Sequence, residues 1–127
     1  MNNAAHLRIL TRSLAEDLLA RAAAIRAGQS SAAESMAQAQ SAADGAACRH
    51  AYVRRFDGMA AAASAAVDRS RAAGAPLPPL AGLAVSVKDL FDVAGQPSTA
   101  ASKSLADALP ATQDCPAVAR LREAGVV

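Results

Sequence analysis

The stretch GLAVSVKDLFDVAGQPSTAAS, residues 82–102, decides how the second half of this chain is interpreted. In its first half, large apolar side chains alternate with small or polar ones, at Leu83, Val85 and Val87. A period of two residues is typical of a β-strand, so we expect a strand over 83–87. Ala-Gly-Gln-Pro at 94–97 then predicts a turn. The sequence therefore predicts one strand that is followed by an irregular loop.

The residues before this stretch predict helices. One apolar face recurs every three or four residues over Leu7, Leu10, Leu14, Leu18, Ala22 and Ile25. A Ser followed three residues later by Glu, at Ser13 and again at Ser31, has the spacing of a capping box and predicts two helix starts. Gly28 is expected to stop the first helix, and residues 44–45 the second.

Two further helices and a linker complete the predicted organisation. A third helix is expected over about 57–73, stopped by Gly74, and a last one over 116–124, with a proline in its first turn. Its buried face would carry Val118, Leu121 and Ala124. Between these helices, three prolines in 75–82 cannot continue a helix and predict a rigid linker. The chain thus divides into an N-terminal helical region, 1–74, and the start of an α/β core, 75–127.

Composition excludes several classes of protein. The chain has 127 residues, 37 of them alanine, and no apolar run of the length, about 18–20 residues, that spans a membrane. A net charge of +2 is too weak to favour nucleic acid or an anionic membrane as a partner. His6 and His50 lack ligand spacing, and no glycine-rich phosphate loop is present, so we expect neither a metal nor a cofactor. Cys48 and Cys115 are expected to be reduced thiols of a cytoplasmic protein.

Lys88 stands out, because 11 of the 13 basic residues are arginine. A lysine at a strand end could be largely buried, and burial can lower a lysine pKa until the amine is a neutral base. The alternative is a solvated lysine paired with Asp89 or Asp92. Those two carboxylates are expected to orient the loop rather than to form a catalytic pair. The arginines at 54–55 and at 69 and 71 are expected to lie on solvated faces.

Residues 82–102 resemble the N-terminal part of the amidase signature family. The family pattern at this point is a Pro-Leu linker, G-(I/L)-P-V-x-V-K-D, then (I/F)-D-V-x-G and T-T-x-G-S, and 114–127 is similar to the next helix of the family. Three residues depart from the pattern: Ala84 replaces a proline, Ser98 replaces the first threonine, and Ala101 replaces the glycine. The last change matters if position 101 needs a positive φ.

The resemblance implies an α/β fold: helices, then the first strand of a mixed sheet, then a helix, incomplete as a stand-alone fold. It also implies that Lys88 is the catalytic base of a Ser–cis-Ser–Lys triad that hydrolyses a small-molecule amide without a cofactor. Both family serines lie well downstream of the lysine, and no segment of this chain resembles theirs. We therefore expect the N-terminal portion of an amidase, inactive alone.

Two other interpretations stay open. Within the family, a general amidase is favoured over the A-type subunit of a glutamine amidotransferase, because no partner-specific feature is visible. Outside it, residues 1–74 could form a non-catalytic, alanine-rich helical module that packs on a partner protein. Small side chains permit close helix approach but do not specify which helix approaches.

Overall fold

The computed structural model describes residues 17–127, and within this range it contains four α-helices. These are α1 (Leu18–Arg26), α2 (Ala32–Ala43), α3 (Asp57–Ala72) and α4 (Pro116–Glu123). Two short 3-10 turns, Ala46–Cys48 and Lys103–Leu105, lie in the connections. The predicted helices α2, α3 and α4 are confirmed within one or two residues of their expected ends.

Local signals explain where these helices begin and end. The hydroxyl of Ser31 accepts a hydrogen bond from the N–H of Glu34 (3.2 Å), which confirms the predicted start of α2. Gly28 and Gly74 follow α1 and α3 with φ of +72° and +73°, the left-handed conformation that ends a helix. The start predicted at Ser13 lies outside the described residues, in which α1 begins after Asp17.

The core is small and combines both halves of the chain. Four buried residues form its centre, with Val67 and Leu80 packed against them: Ala22, Ile25, Ala32 and Leu83. Helices α2 and α3 pack directly against each other. On the predicted apolar face of α1, Ala22 and Ile25 are buried, whereas Leu18 in the first turn is 54% exposed, contrary to expectation. In α4, Val118 is buried, and Leu121 and Ala124 are half-buried.

Residues 83–88 do not form the predicted strand, and no strand is present anywhere in 17–127. One step of β-type pairing exists nonetheless. The N–H of Val127 donates to the C=O of Leu83 (2.8 Å), and the C=O of Val127 accepts from the N–H of Val85 (3.1 Å). Val127 thus bonds to the residues on either side of Ala84, which is the hydrogen-bond pattern of parallel strands. The segment is therefore positioned for a parallel sheet but lacks the further pairs that would make it one.

The proline-containing segment 75–82 is packed against its neighbours. Arg26 donates a hydrogen bond to the C=O of Pro79. The N–H of Leu80 donates to the C=O of Ala124 (2.8 Å), just after α4. Gly82 has φ +77°, and a Cβ built on it would lie 2.6 Å from the Cβ of Ala32. The segment thus joins the start of α2 to the end of α4.

Two arginines expected on solvated faces instead join helices. Arg55 is half-buried and forms ion pairs with Asp44 (2.5 Å) and Asp57 (2.9 Å), which link the end of α2 to the start of α3. The hydrogen bonds that Arg55 donates to Asp44 and, second, to Asp57 raise the pKa of Arg55. Arg71 donates to the carbonyls of Ile25 and Ser30, each at 2.9 Å. The prediction for these two side chains is wrong, because each finds carboxylate or carbonyl partners on other elements.

Candidate active-site segment

Lys88 lies at the end of residues 83–88, immediately before a tight turn. Its C=O accepts hydrogen bonds from the N–H groups of Leu90 (2.7 Å) and Phe91 (3.1 Å). Its side chain is exposed, so the burial that a strand-end position allows does not occur in this chain. The alternative pairing is also absent, since no ion pair of Lys88 with Asp89 or Asp92 occurs among the described residues. The amine therefore projects from a held backbone.

Asp89 holds the loop that follows Lys88. Its carboxylate accepts the hydroxyl of Thr99 (2.5 Å) and the N–H groups of Thr99 (3.1 Å) and Ala101 (3.3 Å). Its C=O accepts the N–H of Ala100 (2.9 Å). The hydroxyl and N–H of Thr99 are the main causes that lower the pKa of Asp89, with smaller contributions from Ala101 and the charge of Arg54. The prediction that Asp89 orients the loop is confirmed.

The loop turns through two left-handed alanines. Ala100 has φ 51° and Ala101 has φ 55°, a region that residues other than glycine rarely adopt. Position 101 thus has the backbone conformation that suits the glycine of the family pattern. Asp89 satisfies the N–H groups of this turn: its carboxylate accepts those of Thr99 and Ala101, and its C=O accepts that of Ala100.

A second carboxylate and the start of α4 hold the other end of the loop. The hydroxyl of Ser98 donates to Asp92 (2.7 Å), whose C=O accepts the N–H of Cys115 (2.9 Å). Asp114, which precedes α4, accepts the N–H of Ala94 (2.7 Å) and pairs with Arg122 (2.9 Å). Gly95, with φ +77°, lies in the turn predicted at 94–97. Residues 89–102 are therefore fixed at both ends.

Arg54 connects the helical region to this loop, and the sequence did not predict this contact. Its guanidinium donates to the side-chain oxygen of Gln96 (2.8 Å), across 42 residues of sequence. A contact between two exposed polar side chains so far apart leaves no periodic signal. The loop therefore has support from outside its own segment.

The segment around Lys88 offers one group for catalysis, the amine of Lys88, on a backbone that is held in place. Among the serines of residues 98–104, Ser98 donates a hydrogen bond to Asp92, and the hydroxyls of Ser102 and Ser104 bond each other at 2.7 Å.

Over 17–127, no group of three or more His, Cys, Asp or Glu side chains could hold a metal ion. Cys48 and Cys115 are unpaired, half-buried thiols. No helix of that range has the length and apolar character to cross a membrane.

Known proteins match most of the chain. The matching curated relatives include the A-type subunit of the glutamyl-tRNA(Gln) amidotransferase of Salinispora tropica, 49% identical over 78 residues, which are 61% of this chain and 16% of that protein. They also include AtzE, the 1-carboxybiuret hydrolase subunit of Pseudomonas sp. (strain ADP), 44% identical over 78 residues, 61% of this chain and 17% of the relative. The chain thus aligns with about a sixth of the length of these relatives.

Solved structures agree with these matches. A chain from a vestigial protein complex, described as revealing the evolutionary origins of an s-triazine catabolic enzyme, superposes with a TM-score of 0.74 at 36% identity. The match covers 82% of this chain and 23% of the other. A family model described as Amidase matches residues 31–127, which include Lys88, the loop after it and α4. With so large a share of its residues matched, the chain belongs to the Amidase family.

Proposed function

We propose that this chain contributes the lysine-bearing N-terminal part of an enzyme that cleaves carbon–nitrogen bonds of small-molecule amides. The observation that carries the proposal is the position of Lys88. It ends the V-x-V-K-D run that resembles the family pattern, within the matched residues 31–127, and its backbone is held by the turn at Leu90 and by the Asp89 loop.

Lys88 is the base in this proposal. Its neutral amine takes a proton through a bridging serine, and the nucleophilic serine attacks the amide carbonyl. Backbone N–H groups stabilise the oxyanion, and the proton held by Lys88 passes to the leaving nitrogen, so that ammonia or an amine leaves and an acyl-serine ester remains. Water then hydrolyses this ester, which releases the acid and restores the serine. A neutral lysine at working pH requires desolvation of the amine, which the exposed Lys88 of this chain does not have. Residues beyond those matched here would supply both the burial and the serines, so the isolated chain is inactive.

Two functions are compatible with this mechanism. A general amidase is our first proposal. The A-type subunit of a glutamine amidotransferase is the second, and the 49% identity to the Salinispora tropica protein favours it specifically. The unpaired thiols Cys48 and Cys115 support a cytoplasmic location.

A chimera tests the role of the lysine and the substrate together. Residues 31–127 of this chain would replace the matching segment in the Salinispora tropica protein and, separately, in AtzE. We expect the active chimera to lose about 10²-fold or more in rate on Lys88→Ala, the usual contribution of a general base. Lys88→Arg should be equally inactive, because a guanidinium stays charged. The matched control is Lys103→Ala, which should keep full rate.

Which of the two chimeras is active indicates the class of substrate. Ammonia release from glutamine alone would favour the amidotransferase function, and hydrolysis of 1-carboxybiuret alone would favour the amidase. Full activity of Lys88→Ala would contradict the role of the lysine. Amide hydrolysis by the isolated chain, abolished by Lys88→Ala, would contradict its inactivity.

A further inference from the structure

Thr99 binds both oxygens of the Asp89 carboxylate. Its N–H donates to Oδ1 (3.1 Å), and its hydroxyl donates to Oδ2 (2.5 Å). The second distance is typical of a hydrogen bond from a hydroxyl to an ionised carboxylate, which is about twice as strong as one between neutral groups. Because a single residue binds each oxygen of the carboxylate, the plane of the Asp89 side chain is fixed relative to Thr99.

The two residues after Thr99 hold Asp89 as well. The C=O of Asp89 accepts the N–H of Ala100 (2.9 Å), and its carboxylate accepts the N–H of Ala101 (3.3 Å). Three consecutive N–H groups, those of Thr99, Ala100 and Ala101, therefore reach one residue. Neither the main chain nor the side chain of Asp89 can rotate without loss of some of these bonds.

Lys88 is joined directly to this fixed residue. The C=O of Lys88 accepts the N–H groups of Leu90 and Phe91, so the peptide group between Lys88 and Asp89 is held on both of its sides. The amine of a lysine lies at the end of a flexible four-carbon stem. A small rotation of the main chain at Lys88 therefore moves the amine much further than it moves the Cα atom.

We propose that Thr99 is a positioning residue for Lys88 and acts through the Asp89 carboxylate, an assignment that rests on the proposed function of Lys88 as the base. A base must lie within hydrogen-bond reach of the proton that it takes. Misplacement of a reacting group by about 1 Å can cost about 10²-fold in rate. Loss of the Thr99 hydroxyl frees one oxygen of the carboxylate, and the main chain at Lys88 gains freedom that the amine amplifies.

The neighbouring residue, Ser98, offers a matched comparison within the same loop. Its hydroxyl also donates to a carboxylate, that of Asp92 (2.7 Å). Asp92 is four residues from Lys88 in sequence, whereas Asp89 is its direct neighbour. A hydroxyl lost at residue 98 therefore loosens the loop without freeing the residue next to the lysine.

Kinetics of the active chimera test the proposal. Thr99→Val keeps the N–H and nearly the same shape but removes the hydroxyl. We expect it to lower kcat by about 5-fold to 10²-fold with KM within about twofold, because the base is misplaced while the amide still binds. Thr99→Ser keeps the hydroxyl and should restore most of the parent kcat. Ser98→Ala is the control and should change kcat by less than about twofold.

Three kinetic results would overturn the proposal: a parent-like kcat in Thr99→Val, a rise in its KM instead of a fall in kcat, or an equal loss in Ser98→Ala. Failure of the proposed function has a different signature, which is full activity of Lys88→Ala in the same chimera. Lys88→Ala inactive beside an unchanged Thr99→Val would leave the base in place and reject the positioning role.

NMR relaxation of the full 127-residue chain tests the same proposal without activity. The backbone N–H order parameters of Lys88 and Asp89 should be about 0.85 in the parent chain and in Ser98→Ala, the value of a rigid backbone. In Thr99→Val they should fall toward about 0.6, the upper limit for a flexible one. Unchanged values in Thr99→Val, or flexible values in the parent chain, would overturn the proposal whether or not a chimera is active.

Discussion

Ala101 has a backbone conformation that alanine rarely adopts. Its φ of 55° follows the φ of 51° at Ala100, and the left-handed region costs an L-residue about 1–2 kcal/mol. The hydrogen bonds to Asp89 from Thr99 and from Ala100 and Ala101 hold the turn against this cost. The strain is local, and a single substitution can relieve it.

We expect Ala101→Gly to raise the free energy of unfolding by up to about 1 kcal/mol, because relief of strain exceeds the chain entropy that glycine loses. Ala63→Gly is the matched control: it lies in the middle of α3, where the backbone is right-handed and glycine should cost about 1 kcal/mol. Urea unfolding of the three chains measures both effects. A loss at 101 as large as the loss at 63 would contradict a strained loop.

Gly82 and Gly95 share a φ of +77° but differ in their surroundings. A Cβ at Gly82 would lie 2.6 Å from the Cβ of Ala32, and a Cβ at Gly95 has nothing within 4 Å. We expect Gly95→Ala to cost about 1 kcal/mol of strain. Gly82→Ala should cost about 1–3 kcal/mol more, because the added methyl overpacks the core. Equal midpoints of chemical unfolding for the two variants would show that α2 moves aside freely.

At the scale of elements, α3 holds the ends of both preceding helices. Asp68 of α3 accepts the hydroxyl of Ser31 (2.6 Å) and the N–H groups of Ala32 (2.9 Å) and Ala33 (3.0 Å), so a carboxylate satisfies the start of α2. Three residues on, Arg71 satisfies the carbonyls of Ile25 and Ser30 beside the end of α1. One turn of α3 therefore fixes the α1–α2 connection.

The titration of Asp68 should make stability depend on pH. Burial raises the pKa of Asp68, but the hydrogen bonds from Ser31, Ala33 and Ala32 and the charge of Arg71 outweigh it, so the folded pKa is lowered. The contribution is therefore complete above the unfolded pKa of about 4 and is lost as pH falls through the lower, folded value. We expect Asp68→Asn to cost about 1–3 kcal/mol at pH 7, as loss of a charged hydrogen-bond acceptor does.

The decisive measurement is unfolding as a function of pH between 7 and 3. Asp68→Asn should lose less stability on acidification than the parent chain, because the group that titrates is gone. Asp107→Asn, at an exposed position without a hydrogen bond in the described residues, is the control and should follow the parent curve. Parallel curves for Asp68→Asn and the parent would contradict the role of the carboxylate.

The sequence predicted what local physics determines and missed what distant residues determine. Ser31, Gly28 and Gly74 act within one helical turn, so the helix ends were predictable. The carboxylate that satisfies the start of α2 comes from Asp68, 36 residues away, and no local pattern reports it. Residues 83–88 have the alternation of a strand, but a strand needs neighbours, and Val127 supplies only one step.

The same distinction explains the result for the candidate site. Lys88 was found from its residue type and the V-K-D run, and the loop role of Asp89 followed from an Asx side chain near a turn. The sequence left both a buried and a solvated Lys88 open, because burial depends on which elements cover the residue. The contact of Arg54 with Gln96 is equally non-local.

At the scale of the whole molecule, one core crosses the boundary that the sequence suggests at 74–75. Leu83 is 2% exposed and packs with Ala22, Ile25 and Ala32, which belong to α1 and α2. Arg26 reaches Pro79 across the same boundary. If these contacts hold the two parts together, the helices and the lysine-bearing segment unfold as one unit.

Leu83→Ala tests this cooperativity, with Val85→Ala as its control two residues along. Leu83→Ala removes a buried side chain and should lower the free energy of unfolding by about 2–5 kcal/mol. Val85→Ala, at a position that is 43% exposed, should lower it by less than about 1 kcal/mol. By hydrogen exchange, we expect Leu83→Ala to lower the protection of amides in α1 and α2 as well as of the hydrogen-bonded amides at positions 83 and 85. Protection that falls only in 83–88 would mean that the helical region is stable by itself. The segment that carries Lys88 would then be joined to the helices by the chain but would not unfold cooperatively with them.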